Sequence, residues 1–340
     1  MSNLNIYLNK LSEGSELSEQ DMVEAMQIIM SGDASEDQIE QFLVFLADRG
    51  ETIAEITGAA KVMRDKASSI QAPDNAVDCC GTGGDASGTY NISTAVALVS
   101  AACGVPIAKH GNRAASSKSG AADVLEALGV NLDVSLEQLE QALEQFNFCF
   151  LMAPHHHKAM KYVVPVRKKL GRRTIFNVLG PLANPAGTQY QLIGVFDKAL
   201  VRPMAEVLKN LGTKRAWVVH GSDGLDEITT TAETHVAILD NGTIEEKTLS
   251  PDDFGLPTAK PEDLLGGEAD ENANAIRALL NGEPSAYRYI VCANTAAVLT
   301  IAGKVKTLKD GVEAAQQAID SKKAKKVLEG YAAFTHGITA

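Results

Sequence analysis

From residue 70 onward the chain alternates short apolar runs with helix-like segments, and that alternation leaves few folds open to it. VDCC, VPIAKHG, FCFLMA, YQLIGVF and RAWVVHG read as strands, each a brief run bounded by turn residues. STAVALVSAACG, SGAADVLEALG and SLEQLEQALEQF read as helices between them, the first apolar on every side and ended by Gly104. Strands interleaved with helices call for a largely parallel sheet covered on both faces, because each parallel crossover climbs back over the sheet. THVAILDNGTIEEKTLS reads as a hairpin turning at Asn241-Gly242. The chain from EADENANAIRALLNG onward reads as helical again.

The first 69 residues follow a different pattern, with four helix-like segments and no strand. SEQDMVEAMQIIMSG opens on Ser18 as a cap and carries Met22, Met26, Ile29 and Met30 on one stripe. ASEDQIEQFLVFLADRG repeats the device with Ile39, Phe42, Leu43 and Leu46, and Gly50 stops it. TIAEITGAAKVMRDKA follows. The fold class is therefore α/β, with a small all-helical N-terminal domain and a larger α/β domain whose mostly parallel central sheet is covered by helices. The division falls at 1–69 and 70–340, with QAPDN at 71–75 as the hinge. The Leu, Met and Phe residues of the helical part are expected to present an exposed apolar surface that serves as a dimer face.

The formal charge of −12 argues against general attraction to nucleic acid or an anionic membrane, so a bound polyanion needs a local site. No apolar run approaches the roughly 20 residues of a membrane span. The N-terminus MSNLNIYLNKLSEGSELSEQ lacks the basic and apolar regions of a signal peptide. Cys79, Cys80, Cys103, Cys149 and Cys292 show no CxxC spacing, and three lie in apolar stretches. The expectation is reduced thiols and a cytoplasmic protein. Nothing beside Cys79 would activate it as a nucleophile.

CCGTGGDASGTYNIST, at 79–94, carries the first chemical signal. It lacks the Gly-Lys-Ser/Thr ending of a phosphate-binding P-loop, and Asp85 inside the loop fits a dinucleotide site badly. Successive small residues still let backbone N–H groups converge on an anion, and Asn91, Ser93 and Thr94 stand where a helix begins. The plain alternative is a strand-to-helix turn that needs glycine for geometry. KHGNRAASSKSG (109–120) repeats the strand–loop–helix arrangement with Lys109, Arg113, Lys118, Ser116, Ser117 and Ser119. A basic, serine-rich loop at the carboxyl end of a strand suits an anionic ligand, where the bland reading is a solvated loop.

In HGSDGLDEITTTAE, Asp223, Asp226 and Glu227 are expected to lie together, a crowding that Mg²⁺ would relieve and that a solvated turn would tolerate. PHHHKAMKYVVPVRKKLGRR places three histidines in a row, but helical neighbours point about 100° apart, so they cannot grip one ion. Arg167 follows Pro165 near a helix break and can fork onto a carboxylate. Lys168, Lys169, Arg172 and Arg173 read as a solvated face.

GTGGD, NIST, KHGNR, NVLGPLANP and DGLDE, in this order and over nearly the whole chain, resemble the anthranilate phosphoribosyltransferases of tryptophan biosynthesis. The pyrimidine nucleoside phosphorylases share that fold, but their glycine loop is written differently and lacks the KHGNR partner. A non-catalytic nucleic-acid-binding homologue would need a basic surface. The resemblance implies a nucleoside phosphorylase-type fold, a segment near 170–190 joining the helical domain, and a homodimer formed through that domain. It implies transfer of the phosphoribosyl group of 5-phosphoribosyl 1-diphosphate to anthranilate, with two Mg²⁺ ions per chain.

Carried over, Gly81, Gly84, Asp85, Thr89, Asn91, Ile92, Ser93 and Thr94 would hold the phosphoribosyl donor. Lys109, His110, Gly111, Asn112, Arg113, Ala114, Ala115, Ser116, Ser117 and Ala121 would hold it from the second loop. Gly81, Asn112 and Arg167 would contact anthranilate, with His110 and His157 at the mouth of its site. Ser93 with Glu227 would ligate one magnesium ion, and Asp226 with Glu227 the other. An oxocarbenium-like transition state needs no covalent nucleophile, which agrees with the lack of any Ser-His-Asp or Cys-His pattern.

Overall fold

The computed structural model describes residues 4–85, 87–114 and 118–338. The N-terminal part contains α1 (Leu4–Ser12), α2 (Glu19–Ser31), α3 (Glu36–Arg49) and α4 (Ile53–Asp65). Ser18, Ser35 and Thr52 open the last three with reciprocal capping boxes, the first of them at the residue read as a cap from the sequence. Next come β1 (Val77–Gly81), α5 (Ile92–Ala102), β2 (Ile107–Gly111), α6 (Ala121–Ala127), α7 (Leu136–Phe146) and β3 (Phe148–Met152). The short helices α8 (Ala153–His156), α9 (Val164–Leu170) and α10 (Phe176–Leu179) lead to β4 (Tyr190–Gly194), α11 (Val201–Asn210) and β5 (Arg215–Gly221). The hairpin β6 (Thr234–Asp240) and β7 (Thr243–Leu249) precedes α12 (Ala269–Leu280), α13 (Ala286–Ile301), α14 (Leu308–Asp320) and α15 (Lys323–Thr335).

The seven strands form one sheet in the order β3-β2-β1-β4-β5-β6-β7, parallel through β5 and antiparallel at the hairpin. Asn241 and Gly242 both take positive φ, 46° and 87°, as a two-residue hairpin of this hand requires. The two-residue period of the strands divides their side chains between two cores. Leu192, Trp217, Val219 and Val236 join the core built with α5 and α13, whereas Ile193, Ala216, Val218 and Ala237 face the other way. The second core also takes in α1–α4, α11 and the run Ile175–Ala183.

One expectation fails here. Met22, Met26, Ile29, Phe42, Leu43 and Leu46 are fully or almost fully buried inside the helical unit, so they form its core and not an exposed apolar face. The apolar stripes of these helices are spent on one another, on α11 and on the Ile175–Ala183 run, while Ile6 and Ile53 are left exposed. Among the described residues no helix is long and apolar enough to cross a membrane.

Candidate functional site at the carboxyl ends of the central strands

β1, β2, β4 and β5 all end on glycine: Gly81, Gly111, Gly194 and Gly221. The crossovers reverse direction on the two sides of β1, which opens a crevice beyond the carboxyl ends of these strands. The glycines have a specific steric cause. A Cβ on Gly194 would stand 1.5 Å from the backbone oxygen of Asp226, and one on Gly81 would stand 2.2 Å from its Oδ2. The turn after β5 therefore folds down onto the ends of β1 and β4, where only hydrogen leaves room. The glycine loop first accommodates the protein's own carboxylate.

Within that turn, Asp223 accepts hydrogen bonds from Thr229 Oγ1 (2.6 Å), the Thr231 hydroxyl and the Leu225 amide (3.3 Å). Asp223 is thus engaged in shaping the turn, and the expected grouping of three carboxylates reduces to Asp226 and Glu227. Asp226 Oδ2 accepts from the Gly83 amide at 2.8 Å. Burial, then the nearby Asp85 carboxylate, pushes the Asp226 pKa up to about 7. Burial and Asp226 raise Glu227 well above the usual carboxylate range, against the opposing pull of Lys109 and the Ser93 amide. Among the described residues, no three His, Cys, Asp or Glu side chains converge as a metal cage.

Gly83, Gly84 and Gly88 take φ of 64°, 78° and 65°, which gives the loop its turns. Asp85 accepts from the Ser87 hydroxyl at 2.6 Å, and Thr89 bridges to Leu265. The Asn91 side chain makes no cap, because it is joined to two other segments, and its carbonyl meets a third. Its Nδ2 donates to Ser119 O (3.1 Å), its Oδ1 accepts from Asn272 Nδ2 (2.8 Å), and its carbonyl accepts from Tyr287 Oη (3.0 Å). Ile92 and Thr94 point into the core, so of the NIST run only Ser93 keeps a polar side chain at the crevice.

The second loop also differs from its sequence reading. Lys109, His110 and Gly111 lie on β2 itself. Lys109 is buried, and its ammonium donates to Cys79 O (2.7 Å) and Ser93 Oγ (3.1 Å). The exposed Arg113 is held by Asp123 (3.1 Å) and Glu126 (2.5 Å), which raise its pKa further. Asp123 also accepts from the Ala114 and Gly120 amides, both 2.9 Å, at the start of α6 where Ala121 sits. Ala115, Ser116 and Ser117 lie outside the described residues. Cys79 is buried, and burial lifts its thiol to about 12, so it is no nucleophile.

Beside the crevice lies a mainly apolar cavity of about 500 Å³, lined by Met63, His110, Asn112, His157, Arg167 and Phe176 among others. The Arg167 guanidinium stands 5.6 Å from the Phe176 ring centre, and burial favours its neutral form, lowering its pKa. It has no ion-pair partner among the described residues. His110 Nδ1 lies 3.1 Å from Gly180 O, and its ring meets His157 edge-on at 5.2 Å. Burial, then the His157 ring, depresses the His110 pKa to about 3, and burial takes His157 to about 4. Helix α8 stops at His156, so His157 leaves the helical path that sequence assigned to it. His156 turns to Ser68 O (2.6 Å) and His155 to Asp133 (3.5 Å), so only one of the three reaches the cavity.

The Gly-Pro-Leu-Ala-Asn-Pro run ties these parts together. Its carbonyls at Pro181 and Leu182 accept from Gln191 (2.9 Å) and Arg64 (2.6 Å), and Asn184 Nδ2 donates to Ala108 O (2.8 Å). Three residues escaped sequence reasoning. Asn272 and Tyr287 come from distant helices with no motif, and Arg173, assigned to a solvated face, instead donates to Gly84 O. Lys169 and Arg172 do lie on that face, paired with Glu40 (2.5 Å) and Asp48 (2.7 Å).

Residues 73–325 match the glycosyl transferase family a/b domain, and residues 5–67 match the helical bundle domain of the glycosyl transferase family. The chain is 58% identical over 318 residues to an anthranilate phosphoribosyltransferase of Rhodospirillum rubrum, covering 94% of this chain and 92% of the relative. It is 55% identical to that of Azospirillum brasilense, over 99% and 94% of the two chains. The solved anthranilate phosphoribosyltransferase of Thermus thermophilus superposes with TM-score 0.92 at 42% identity, covering 97% of this chain and 99% of that one. The Saccharomyces cerevisiae enzyme, solved in complex with PRPP and Mg, superposes with TM-score 0.90 at 28% identity, over 98% of each chain.

The His110 ring should stay neutral from pH 8 to pH 5, since only the unfolded chain binds its proton in that range. Its ring-proton NMR signal should hold constant across that range. A His110 midpoint near 6.5 would contradict the burial argument.

Proposed function

The chain belongs to the anthranilate phosphoribosyltransferase family, and on that premise we propose that it joins anthranilate to 5-phosphoribosyl 1-diphosphate. The products are N-(5-phosphoribosyl)anthranilate and diphosphate, on the route to tryptophan. The observation that carries this reading is the adjoining of two unlike sites. An apolar cavity with one unpaired guanidinium, Arg167, opens beside a glycine-lined crevice holding Asp226 and Glu227. A small aromatic acid suits the first, and a polyphosphate with a divalent cation suits the second.

On this reading the Arg167 fork binds the anthranilate carboxylate, with Lys158 and Lys161 adding positive charge around the cavity. Asn112 and Gly81 stand between the two substrates, and His110 and His157 flank the acceptor as neutral rings. The glycine loop from Gly81 to Asp85, with Thr89 and Ser93, and the segment from Lys109 to Ala121 hold the donor. Lys109 acts from beneath through Ser93, and Arg113 would have to leave Asp123 and Glu126 to reach a phosphate. The bond from the amine nitrogen to the anomeric carbon forms as the carbon–diphosphate bond breaks, and the amine proton passes to solvent. Orientation and electrostatics supply the rate, since no nucleophile is at hand.

The carboxylates fit Mg²⁺. Asp226 and Glu227 are crowded and half-buried, a state that a cation relieves, and among the described residues too few ligands converge for a protein-made cage. Magnesium characteristically uses one or two carboxylates plus substrate phosphates. We assign Ser93 and Glu227 to one ion and Asp226 and Glu227 to a second, which would neutralise the departing diphosphate. We take 1–69, joined by the stretch near 170–190, as the helical domain and 70–340 as the α/β domain. A second copy would dock on the helical domain, where Ile6 is exposed and Val44 and Phe45 are partly covered. The five unpaired thiols agree with a cytoplasmic setting.

Loss of anthranilate fluorescence on mixing with 5-phosphoribosyl 1-diphosphate and Mg²⁺ tests the activity, and an unchanged signal with active-site-saturating substrates would reject it. In that assay Arg167→Ala should raise the KM for anthranilate about tenfold or more while leaving the KM for the donor within about twofold. Equal rises would remove the carboxylate role. Protons compete with the metal for Asp226, so the Mg²⁺ concentration giving half-activity should climb roughly tenfold per pH unit below about 7 and level off above 8. A half-activity point that ignores pH between 6 and 8 would contradict the metal assignment.

A further inference from the structure

Arg173 ends the basic run that begins in α9 and is exposed like Arg172, yet it makes contacts that its neighbours do not. Its guanidinium lies 3.8 Å from the centre of the Phe196 ring, close enough for a cation–π contact over the ring face. From there it donates to the carbonyl of Gly84. A Cβ on Gly84 would come within 3.3 Å of Arg173 Nη2, so the loop and the guanidinium are in direct contact. Phe196 is itself fastened to the loop, because its amide donates to Thr82 Oγ1 (3.1 Å) and the Thr82 amide donates to Gly194 O (2.9 Å). The chain from Thr82 to Gly84 is thereby held on one side by the end of β4 and on the other by Arg173.

Arg167 and Arg173 are six residues apart, on α9 and just beyond its αL cap at Gly171. The first lines the acceptor cavity, and the second grips the donor loop. We propose that Arg173 is a positioning residue that fixes the glycine loop for the phosphoribosyl donor. The role rests on the donor assignment made above. Gly84 has φ of 78° and Gly83 of 64°, conformations with little intrinsic preference, so a loop of such residues needs an external hold to present its amides in one arrangement. An arginine stacked on an aromatic face supplies that hold with little entropy left to lose, and a lysine lacks the planar fork and the stacking.

The experiment compares wild type, Arg173→Ala, Arg173→Lys and Phe196→Leu by calorimetric titration with 5-phosphoribosyl 1-diphosphate in excess Mg²⁺, and by steady-state kinetics. Arg173→Ala should weaken donor binding and raise its KM about tenfold or more, leave the anthranilate KM within about twofold, and shift the melting temperature little because Arg173 is exposed. Phe196→Leu, which keeps the arginine and removes its platform, should move the donor KM in the same direction by less, and Arg173→Lys should recover only part of the loss. Donor binding unchanged in Arg173→Ala, or equal losses for both substrates, would overturn the role. A large fall in melting temperature for both Arg173→Ala and Phe196→Leu would overturn it too, by making the contact a folding one. Wild type that binds the donor but leaves anthranilate unconsumed would defeat the functional reading while the binding ratio still decided this one.

Discussion

The approach of the Asp226 turn to the ends of β1 and β4 governs the rest of this site. Its backbone oxygen sits where a Gly194 side chain would be, and its carboxylate where a Gly81 side chain would be. That contact carries a carboxylate from the far side of β5 to the amide of Gly83, across the topological reversal of the sheet. Low dielectric and like charge then leave Asp226 and Glu227 poorly satisfied as anions, which is the state a divalent cation can improve. The glycines of the motif thus serve two ends. They admit the protein's own acidic turn, and they allow the turns at Gly83 and Gly84 that a bound diphosphate would face.

Around that contact the buried polar groups form a support that is itself held in place. Lys109, fully enclosed, links the carbonyl of Cys79 on β1 to the hydroxyl of Ser93 on α5 and balances part of the charge on Glu227. Asn91 joins the first loop to Ser119 of the second and to Asn272 of α12. Buried polar networks of this kind cost stability when incomplete and fix one arrangement when complete. The apolar cavity beside them has the opposite character, with neutral histidines and a guanidinium that has no ion-pair partner among the described residues. On the proposed reading, two substrates of unlike chemistry are thereby sorted before any bond changes.

Much of the fold was legible because its signals are local. The period of the strands, the Asn-Gly hairpin and the caps at Ser18 and Ser35 are decided within a few residues. The place of the candidate site was legible where a motif packed several chemical groups into one loop, as in GTGGD and DGLDE, which the fold brings into contact. Side-chain roles were not legible where the partner is far off in sequence. Lys109 and Arg113 look alike in KHGNR, but one is sealed beneath the sheet end and the other is occupied by Asp123 and Glu126. Asp223 and Asp226 are three residues apart, yet the threonines at 229 and 231 claim the first. Arg173 could not be separated from Lys169 and Arg172 by charge or period, because Phe196 and Gly84 are what distinguish it.

The central claim is that a bare strand end lets the acidic turn reach the donor loop, and the residue to alter is one with no proposed contact to either substrate. Gly194→Ala should keep a cooperative melt and native far-UV circular dichroism while Mg²⁺-dependent binding of 5-phosphoribosyl 1-diphosphate, read by calorimetry, falls by about a hundredfold or more, because Asp226 has been pushed out of place. Binding equal to wild type in a folded Gly194→Ala protein would contradict the account at its root.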